Sequence, residues 1–555
     1  MPTIHFNPQV SDSKVLKCRE KRVITLDIGP FRAKEKIFQD NDGNIFHSEQ
    51  LRALAPVRCT YGYDVLVHVG RALFLQCRNE KQIVEELHEK NVSISRRQIG
   101  YLGRKFIACL AIAHQQSGQR LKQAMASRGG YILHIDGTCE ADSPHLFTGI
   151  DGIAQIVLDS IKLPSEKAEM IVPFLRRIKR QYGDPIALVH DMGKGILSAV
   201  KTVFKDTPDF ICHFHFLRDI GKDLFEEEYG VIRNRLLKHK IRPLLRKKLK
   251  DFEKIVGTDS VHHLSSSIET GRVDPEAMEE LFAPVAYAMV HWALDLSELD
   301  GYGFPFDCPY VVFYQRLKTL HGIVNDELIK NSMLSRLWRP LTQVIEDPHL
   351  KKAAAQMQKK MKAFKKLREA LGIAVPRGEN GLNDDGSDSD IGSIEEKVKR
   401  FRSEIKPDQD FKNMVDQIDN YWDKLFANPI TVNTPAGRIL IQPQRTNNLL
   451  ERFFRDLKRA SRKRSGMKCM TKTLKFILSD TPLVKNLNNP EYVEILLDGC
   501  RTLEERFAKI DSRVVIEKLR TARGKHRMIS PMMKKMVQRP DLPERLTMLM
   551  SPQQG

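Results

Sequence analysis

Apolar residues recur along this chain at two different periods, and the switches between them mark out its elements. Up to residue 60 apolar and polar positions alternate around Ile24-Thr25-Leu26-Asp27-Ile28 and again around Asn44-Ile45-Phe46, with a turn signal at Asp42-Gly43. This pattern predicts a small β-containing module over residues 1–60. Over 63–114 the period becomes helical: Val65, Leu66, Val69, Leu73 and Cys77 mark one helix, and Ile83, Val84 and Leu87 a second. After the short turn Asn91-Val92-Ser93-Ile94 a third helix opens at Ser95, a good N-cap. Ile99, Leu102, Phe106 and Leu110 form its apolar stripe, leaving Arg96, Arg97, Gln98, Tyr101, Arg104 and Lys105 outward. A short helix, a tight turn and a basic helix match a helix-turn-helix over residues 61–128 whose last helix enters the DNA major groove. An ordinary helical hairpin with a solvated basic face would look similar, but these side chains are also able to make bidentate base contacts.

From residue 130 the period changes to two. Tyr131-Ile132-Leu133-His134-Ile135 reads as a buried strand ending at Asp136-Gly137. Two further strands, Leu146–Ile150 and Ile153–Leu158, flank the hairpin signal Asp151-Gly152. An amphipathic helix follows from about Ser165 to Tyr182, then a strand, Pro185–His190, ending at Asp191. A helix from Gly195 to Phe204 leads to a last predicted strand, Phe210–Phe216. An antiparallel hairpin feeding a parallel sheet layered with helices is the ribonuclease-H-like topology. The predicted fold class is therefore an α/β ribonuclease-H-like core, interrupted by a large helical insertion and preceded by the β module and the helix-turn-helix.

On this division the core occupies residues 129–220 and resumes over 441–482, the insertion fills 221–440, and a helical, basic tail runs over 483–555. Arg233 to Lys250 is rich in Lys and Arg among leucines, with Pro243 expected to break or kink its helix. Residues 376–395 have almost nothing apolar to bury and read as a flexible loop. The apolar stretch Leu281–Leu296 is interrupted by Pro284 and His291 and is too short to span a bilayer.

Composition sharpens this picture. At 555 residues more than one domain is expected. Lys plus Arg number 90 against 70 Asp plus Glu, a net charge of +20, which favours a polyanionic partner through release of condensed counterions. Nine cysteines without paired spacing read as reduced thiols, and the N-terminus lacks a signal-peptide pattern. These point to a soluble, cytoplasmic, nucleoid-associated protein with no membrane partner.

Three acids then stand out. Asp136 and Asp191 end strands that this topology places side by side, and Glu451 lies on a helix otherwise crowded with cations, Thr446 to Arg459. An Asp at a strand end is usually a turn residue, and Glu451 alone would be an i,i+4 partner of Arg455. Together, on this order of elements, the three carboxylates suit two Mg²⁺ or Mn²⁺ ions, which prefer oxygen ligands and catalyse attack on a phosphodiester. Asp151 and Asp142 are explained by a hairpin tip and an exposed loop, and Asp456 lies about 140° around the helix from Glu451. Leu450, Phe453, Phe454 and Leu457 form that helix's buried face, while Arg455, Lys458, Arg459 and Arg462 lie along the Glu451 side as a DNA-backbone track. Cys212 and His215 form Cys-x-x-His without a second pair for zinc, and read as a structural pair on a strand beside the catalytic edge, with His215 in reach of the scissile phosphate.

The sequences Ile135-Asp136-Gly137-Thr138, His190-Asp191-Met192-Gly193, Cys212-His213-Phe214-His215 and Thr446-Asn447-Asn448 leading to Glu451 resemble the DDE transposases of bacterial insertion sequences, in particular the mutator-like branch. The resemblance covers residues from about 60 to 480. It implies a metal-dependent enzyme that binds the terminal inverted repeats of its element, nicks the 3′ ends and joins the freed hydroxyls to target DNA, with Asp136, Asp191 and Glu451 as its triad. It implies assembly on double-stranded DNA as a homodimer or higher oligomer, with the insertion pairing DNA ends or shaping the active site. Cys18 and Cys59 have no close partners, so no N-terminal zinc ribbon is expected. Two alternatives are a structure-specific nuclease of the same fold, which cuts without joining, and a DNA-binding regulator that has lost catalysis.

Overall fold

The computed structural model describes residues 1–10, 13–272, 278–299, 301–323, 332–374, 391–523, 536–537 and 539–550. Its N-terminal module is a sheet of β1 (Thr3–Phe6), β2 (Lys14–Thr25), β3 (Gly29–Gln39) and β4 (Ile45–Phe46), with β3 paired to all three others. Leu26-Asp27-Ile28 is the turn of the β2–β3 hairpin rather than strand. Phe6, Val23, Phe31 and Ala33 close a small core with Leu51 of α1 (Glu49–Leu54).

Four helices follow: α2 (Tyr63–Phe74), α3 (Glu80–Glu89), α4 (Arg96–Gln116) and α5 (Gly118–Ser127). Asn79 and Gln82 make a reciprocal capping box on α3, and the Ser95 hydroxyl accepts from the Gln98 N–H at the start of α4. The predicted stripe Ile99, Leu102, Phe106 and Leu110 is fully buried. Beyond Phe106, however, α4 is buried nearly all round, because it runs through a core shared with the central sheet and the C-terminal helices. Lys105 is 6% exposed and so does not point outward as expected. It lies within electrostatic range of Lys21 of β2 and of Cys109.

The central sheet consists of β5 (Ile132–Thr138), β6 (His145–Asp151), β7 (Ile156–Leu163), β8 (Ala187–His190) and β9 (Asp209–Ile211), in the order β7-β6-β5-β8-β9. The β5–β6 and β6–β7 pairs are antiparallel, whereas β5–β8 and β8–β9 are parallel. Two helices connect the parallel strands: α6 (Ala168–Tyr182), which buries Ile171, Phe174, Leu175 and Ile178, and α7 (Lys194–Val203). The last predicted strand is mostly helix. β9 stops at Ile211, Cys212 caps α8 (His213–Lys238), and Phe216, Leu217, Ile220 and Leu224 bury at helical spacing. A run of alternating histidines and phenylalanines was compatible with either period, and the edge position of β9 gives it only β8 as a partner.

The insertion has a separate core that begins on α8 and gathers Phe225, Ile232, Phe313, Leu317, Leu341, Leu350, Phe364 and Val398 from successive helices. The predicted break near Pro243 falls earlier, at left-handed Lys240, so that Pro243 sits in the first turn of the next helix, Ile241–Glu253, where its missing N–H costs nothing. Residues 376–390 of the predicted loop lie outside the described residues, and from Ile391 the chain is helix. A short hairpin, β10 (Ile430–Thr434) and β11 (Gly437–Ile441), precedes the acidic helix Asn448–Ser465.

Residues 483–523 are no tail. Leu483, Val484, Tyr492, Leu496, Leu503, Phe507 and Leu519 belong to the main core, with the Phe507 ring edge-on to Phe106 at 5.7 Å. The Asn486 amide bonds both the N–H and the carbonyl of Val157, acting as a strand partner for the free edge of β7. No described helix is long and apolar enough to cross a membrane.

The other edge is tied by charge. The buried His190 ring lies 3.1 Å from Asp209 Oδ2, which also takes Lys424 from the end of the insertion. Burial alone would raise the Asp209 carboxyl, but the hydrogen bonds from His190 and Lys424 prevail and hold it at about 2. A carboxyl held low stabilises the fold above its unfolded value, and that contribution is lost as the pH falls through the folded value. Asp209→Asn should therefore cost on the order of 2 kcal/mol at neutral pH. Urea titrations at successive pH values should show the difference from wild type narrowing between pH 4 and pH 2.

Candidate active site

The site is set by strand register. In the parallel pair, Ile132, Leu133 and His134 face Ala187, Leu188 and Val189. Two residues beyond the last of these pairs, on each chain, lie Asp136 and Asp191. Side chains alternate along strands, so Asp136 shares a face with His134, and Asp191 follows β8 at the matching step. Asp136 is not at the end of its strand, as the sequence suggested, but within β5 and opposite Thr148 of β6. What ends there is its parallel neighbour, and this opens the edge.

Glu451 reaches that edge through Asn447. The fully buried Asn447 side chain donates to the Ile135 carbonyl at 3.0 Å and meets His134 Nδ1 at 3.0 Å, while its backbone N–H donates to Cys212 Sγ at 3.1 Å. Its carbonyl takes the Glu451 N–H at 3.1 Å, so Glu451 sits one turn along the same side of the helix. Upstream, the Arg445 carbonyl accepts from the His213 N–H at the start of α8. This short strap joins β5, α8 and the acidic helix.

Electrostatics shows the three acids in one neighbourhood. Burial pushes Asp136, 8% exposed, well above the ordinary carboxylate range, and Asp191 and Glu451 push it further. Burial also raises Asp191 and Glu451, each opposed by Arg218 on α8. The Oδ1 atoms of Asp136 and Asp191 accept the N–H groups of Gly137 and Gly193. Among the described residues, no three His, Cys, Asp or Glu side chains are gathered tightly enough to enclose a metal ion by themselves. The donors are nonetheless hard oxygens around a concentrated negative charge, and Mg²⁺ is ordinarily held by one or two carboxylates with waters completing its shell.

Cys212 and His215 lie on the cap and first turn of α8, not on a strand. Burial, followed by the nearby Glu451, pushes the Cys212 thiol up to about 12, so it accepts the Asn447 bond as a neutral thiol. Burial, with Arg218 and Lys222, lowers His215 to about 3. Its Nε2 lies 3.7 Å from Glu451, and at that value the contact is between a neutral imidazole and a carboxylate, not an ion pair. His215 Nδ1 is buried without a hydrogen-bond partner.

Three residues of this site escaped the sequence reading: Asn447, Arg218 and Glu166. Glu166 precedes α6 instead of starting it, is held by His145 at 3.0 Å, and adds charge beside both aspartates. A Cβ on Gly137 would lie 2.2 Å from Glu166 Oε1, so a side chain here would push that carboxylate aside. Asn447 belonged to a quoted motif, but its partners are 235 or more residues distant and nothing local signals them.

Of the basic candidates, Arg455, Lys458, Arg459 and Arg462 are all exposed along the helix beyond Glu451. Lys458 lies 3.9 Å from Glu140, and Arg459 3.7 Å from Asp456. On α4, Arg96, Arg97 and Arg104 are exposed, while Gln98 and Tyr101 are half-buried. Tyr101 packs against the main core.

Removing the Asn447 side chain leaves His134 and the Ile135 carbonyl without their bonds in a buried place. Asn447→Ala should therefore lower stability by about 3 kcal/mol, measured by urea unfolding, and the loss should exceed that of an exposed substitution such as Arg459→Ala. Compared with known proteins, the chain matches no family model and no curated relative.

Proposed function

We propose that this protein is a DDE-type DNA transposase, a metal-dependent enzyme that cleaves and joins DNA strands on a ribonuclease-H-like core. The observation that carries the reading is the convergence of Asp136, Asp191 and Glu451 from two strands and a remote helix, close enough for the latter two acids to raise the first. The sheet order, with two antiparallel steps on one side of β5 and two parallel steps on the other, supports the fold assignment.

In this reading Asp136, Asp191 and Glu451 hold two Mg²⁺ or Mn²⁺ ions, which when bound activate the attacking hydroxyl and stabilise the leaving oxygen. Asn447 fixes Glu451 over the sheet, so the carboxylates are preorganised and not recruited from solvent. Arg218 balances the negative charge of Asp191 and Glu451 from α8. Arg455, Lys458, Arg459 and Arg462 carry the DNA backbone toward the acids. α3 and α4 act as the helix-turn-helix that recognises the element ends, with Arg96, Arg97 and Gln98 at the start of the recognition helix. Two DNA ends call for two protomers, hence a homodimer or larger assembly on DNA.

Asp136→Asn, Asp191→Asn and Glu451→Gln should each lower Mg²⁺-dependent nicking of labelled element ends by at least about a thousandfold, leaving DNA binding in a gel-shift assay intact. Undiminished cleavage by any one variant removes that residue from the site. Arg97→Ala and Gln98→Ala should weaken binding to the specific end by roughly 1–3 kcal/mol. In competition against random duplex the loss should be smaller, and an equal loss on both would make them backbone contacts.

A further inference from the structure

A cleft of about 860 Å³ separates the start of α4 from the far end of the acidic helix. Arg96 and Arg104 line one wall, Lys463 and Arg464 the other, and Lys472 and Phe476 stand at its rim on the short helix Thr471–Phe476. Among the described lining residues the only acid is Glu80. Phe476 is 79% exposed, the largest exposure of any described large hydrophobic residue. An aromatic ring left in water beside a cationic cleft leaves its whole face available to a flat partner.

We propose that this cleft holds a segment of DNA strand carrying an unpaired base, which stacks on Phe476 while the lysines and arginines take its phosphates. Two independent features select this ligand. The cationic lining favours an anion over an apolar peptide or lipid tail. The exposed ring adds a requirement that phosphate alone does not meet, namely a π-face, and base–aromatic stacking is tolerant of sequence. The inference rests on the DNA reading above and extends it from the carboxylates to the path of the strand.

The helix sets the spacing. From Glu451 to Arg464 is thirteen residues along Asn448–Ser465, or about 20 Å at 1.5 Å per residue. At about 3.4 Å per nucleotide in a duplex, about six nucleotides span that length. Arg455, Lys458 and Arg462 lie between the two points on the exposed side of the helix. Arg464 lies about 180° around the helix from Arg455, with its guanidinium over the Phe74 ring, so the track reaches the cleft through the exposed Lys463.

The test compares, by fluorescence anisotropy, a blunt duplex with the same duplex carrying an unpaired six-nucleotide 3′ extension. Wild type and Phe476→Tyr should bind the extended form about tenfold more tightly. Phe476→Ala should lose that preference but bind the blunt duplex as wild type does; the residue is too exposed for the substitution to disturb folding. With 5-iodouracil placed in the extension, irradiation should join the base to Phe476. The absence of a preference in wild type, or an undiminished one in Phe476→Ala, overturns the inference. Failure of wild type to bind even blunt duplex at low salt overturns instead the DNA reading beneath it.

Discussion

The structure depends at its centre on the bonds of one buried amide. Asn447 ties the backbone and His134 of β5 to Cys212 at the head of α8, and it starts the helix that carries Glu451. The groups it satisfies are deep in the protein, where an unpaired donor or acceptor is costly, so the three elements have one favourable arrangement. Cys212 contributes through being neutral: burial holds its proton on, and the sulfur accepts where a thiolate beside Glu451 would repel. The Cys-x-x-His pattern is in this sense a device for docking a helix, and His215, one turn further, meets the same glutamate.

How much of this could be read from the sequence followed the range of the interaction involved. The apolar stripe Ile99, Leu102, Phe106 and Leu110 and the strand around Leu133 are local periodicities, and both stand where the pattern put them. Burial of Lys105 was illegible because α4 runs through a core whose other members come from distant parts of the chain, not from its own periodicity. The C-terminal helices looked like a basic tail because their polar residues outnumber the few apolar ones that bury. Yet Tyr492, Phe507 and Asn486 each complete something specific: a buried hydrogen bond to His114, a ring pair and a strand edge. The strand expected through Phe216 failed for a different reason. Alternation of His and Phe at 213–216 fits period two, while the helical repeat emerges only with Ile220 and Leu224.

The candidate site shows the same division. Asp136 and Asp191 were legible because parallel register converts sequence position directly into neighbourhood. Glu451 was legible only as one acid among cations, and its position over the sheet is a consequence of Asn447. Glu166 and Arg218, which set the charge balance around the aspartates, were not legible at all. One lies in a connection that resembled a helix start, and the other follows a segment expected to be strand up to Phe216.

α8 carries this argument into the insertion. Its cap and first two turns supply Cys212, His215 and Arg218 to the acidic edge, and its later turns supply Ile220, Leu224, Phe225 and Ile232 to the insertion core. At 26 residues it extends about 39 Å without a proline, one element shared by both regions. Return contacts reinforce it: Lys424 bonds Asp209 on β9, the Leu425 carbonyl lies 2.6 Å from His213, and Arg445 bonds the Leu371 carbonyl. The insertion is thus clamped to the edge that carries the three acids at both ends of its chain.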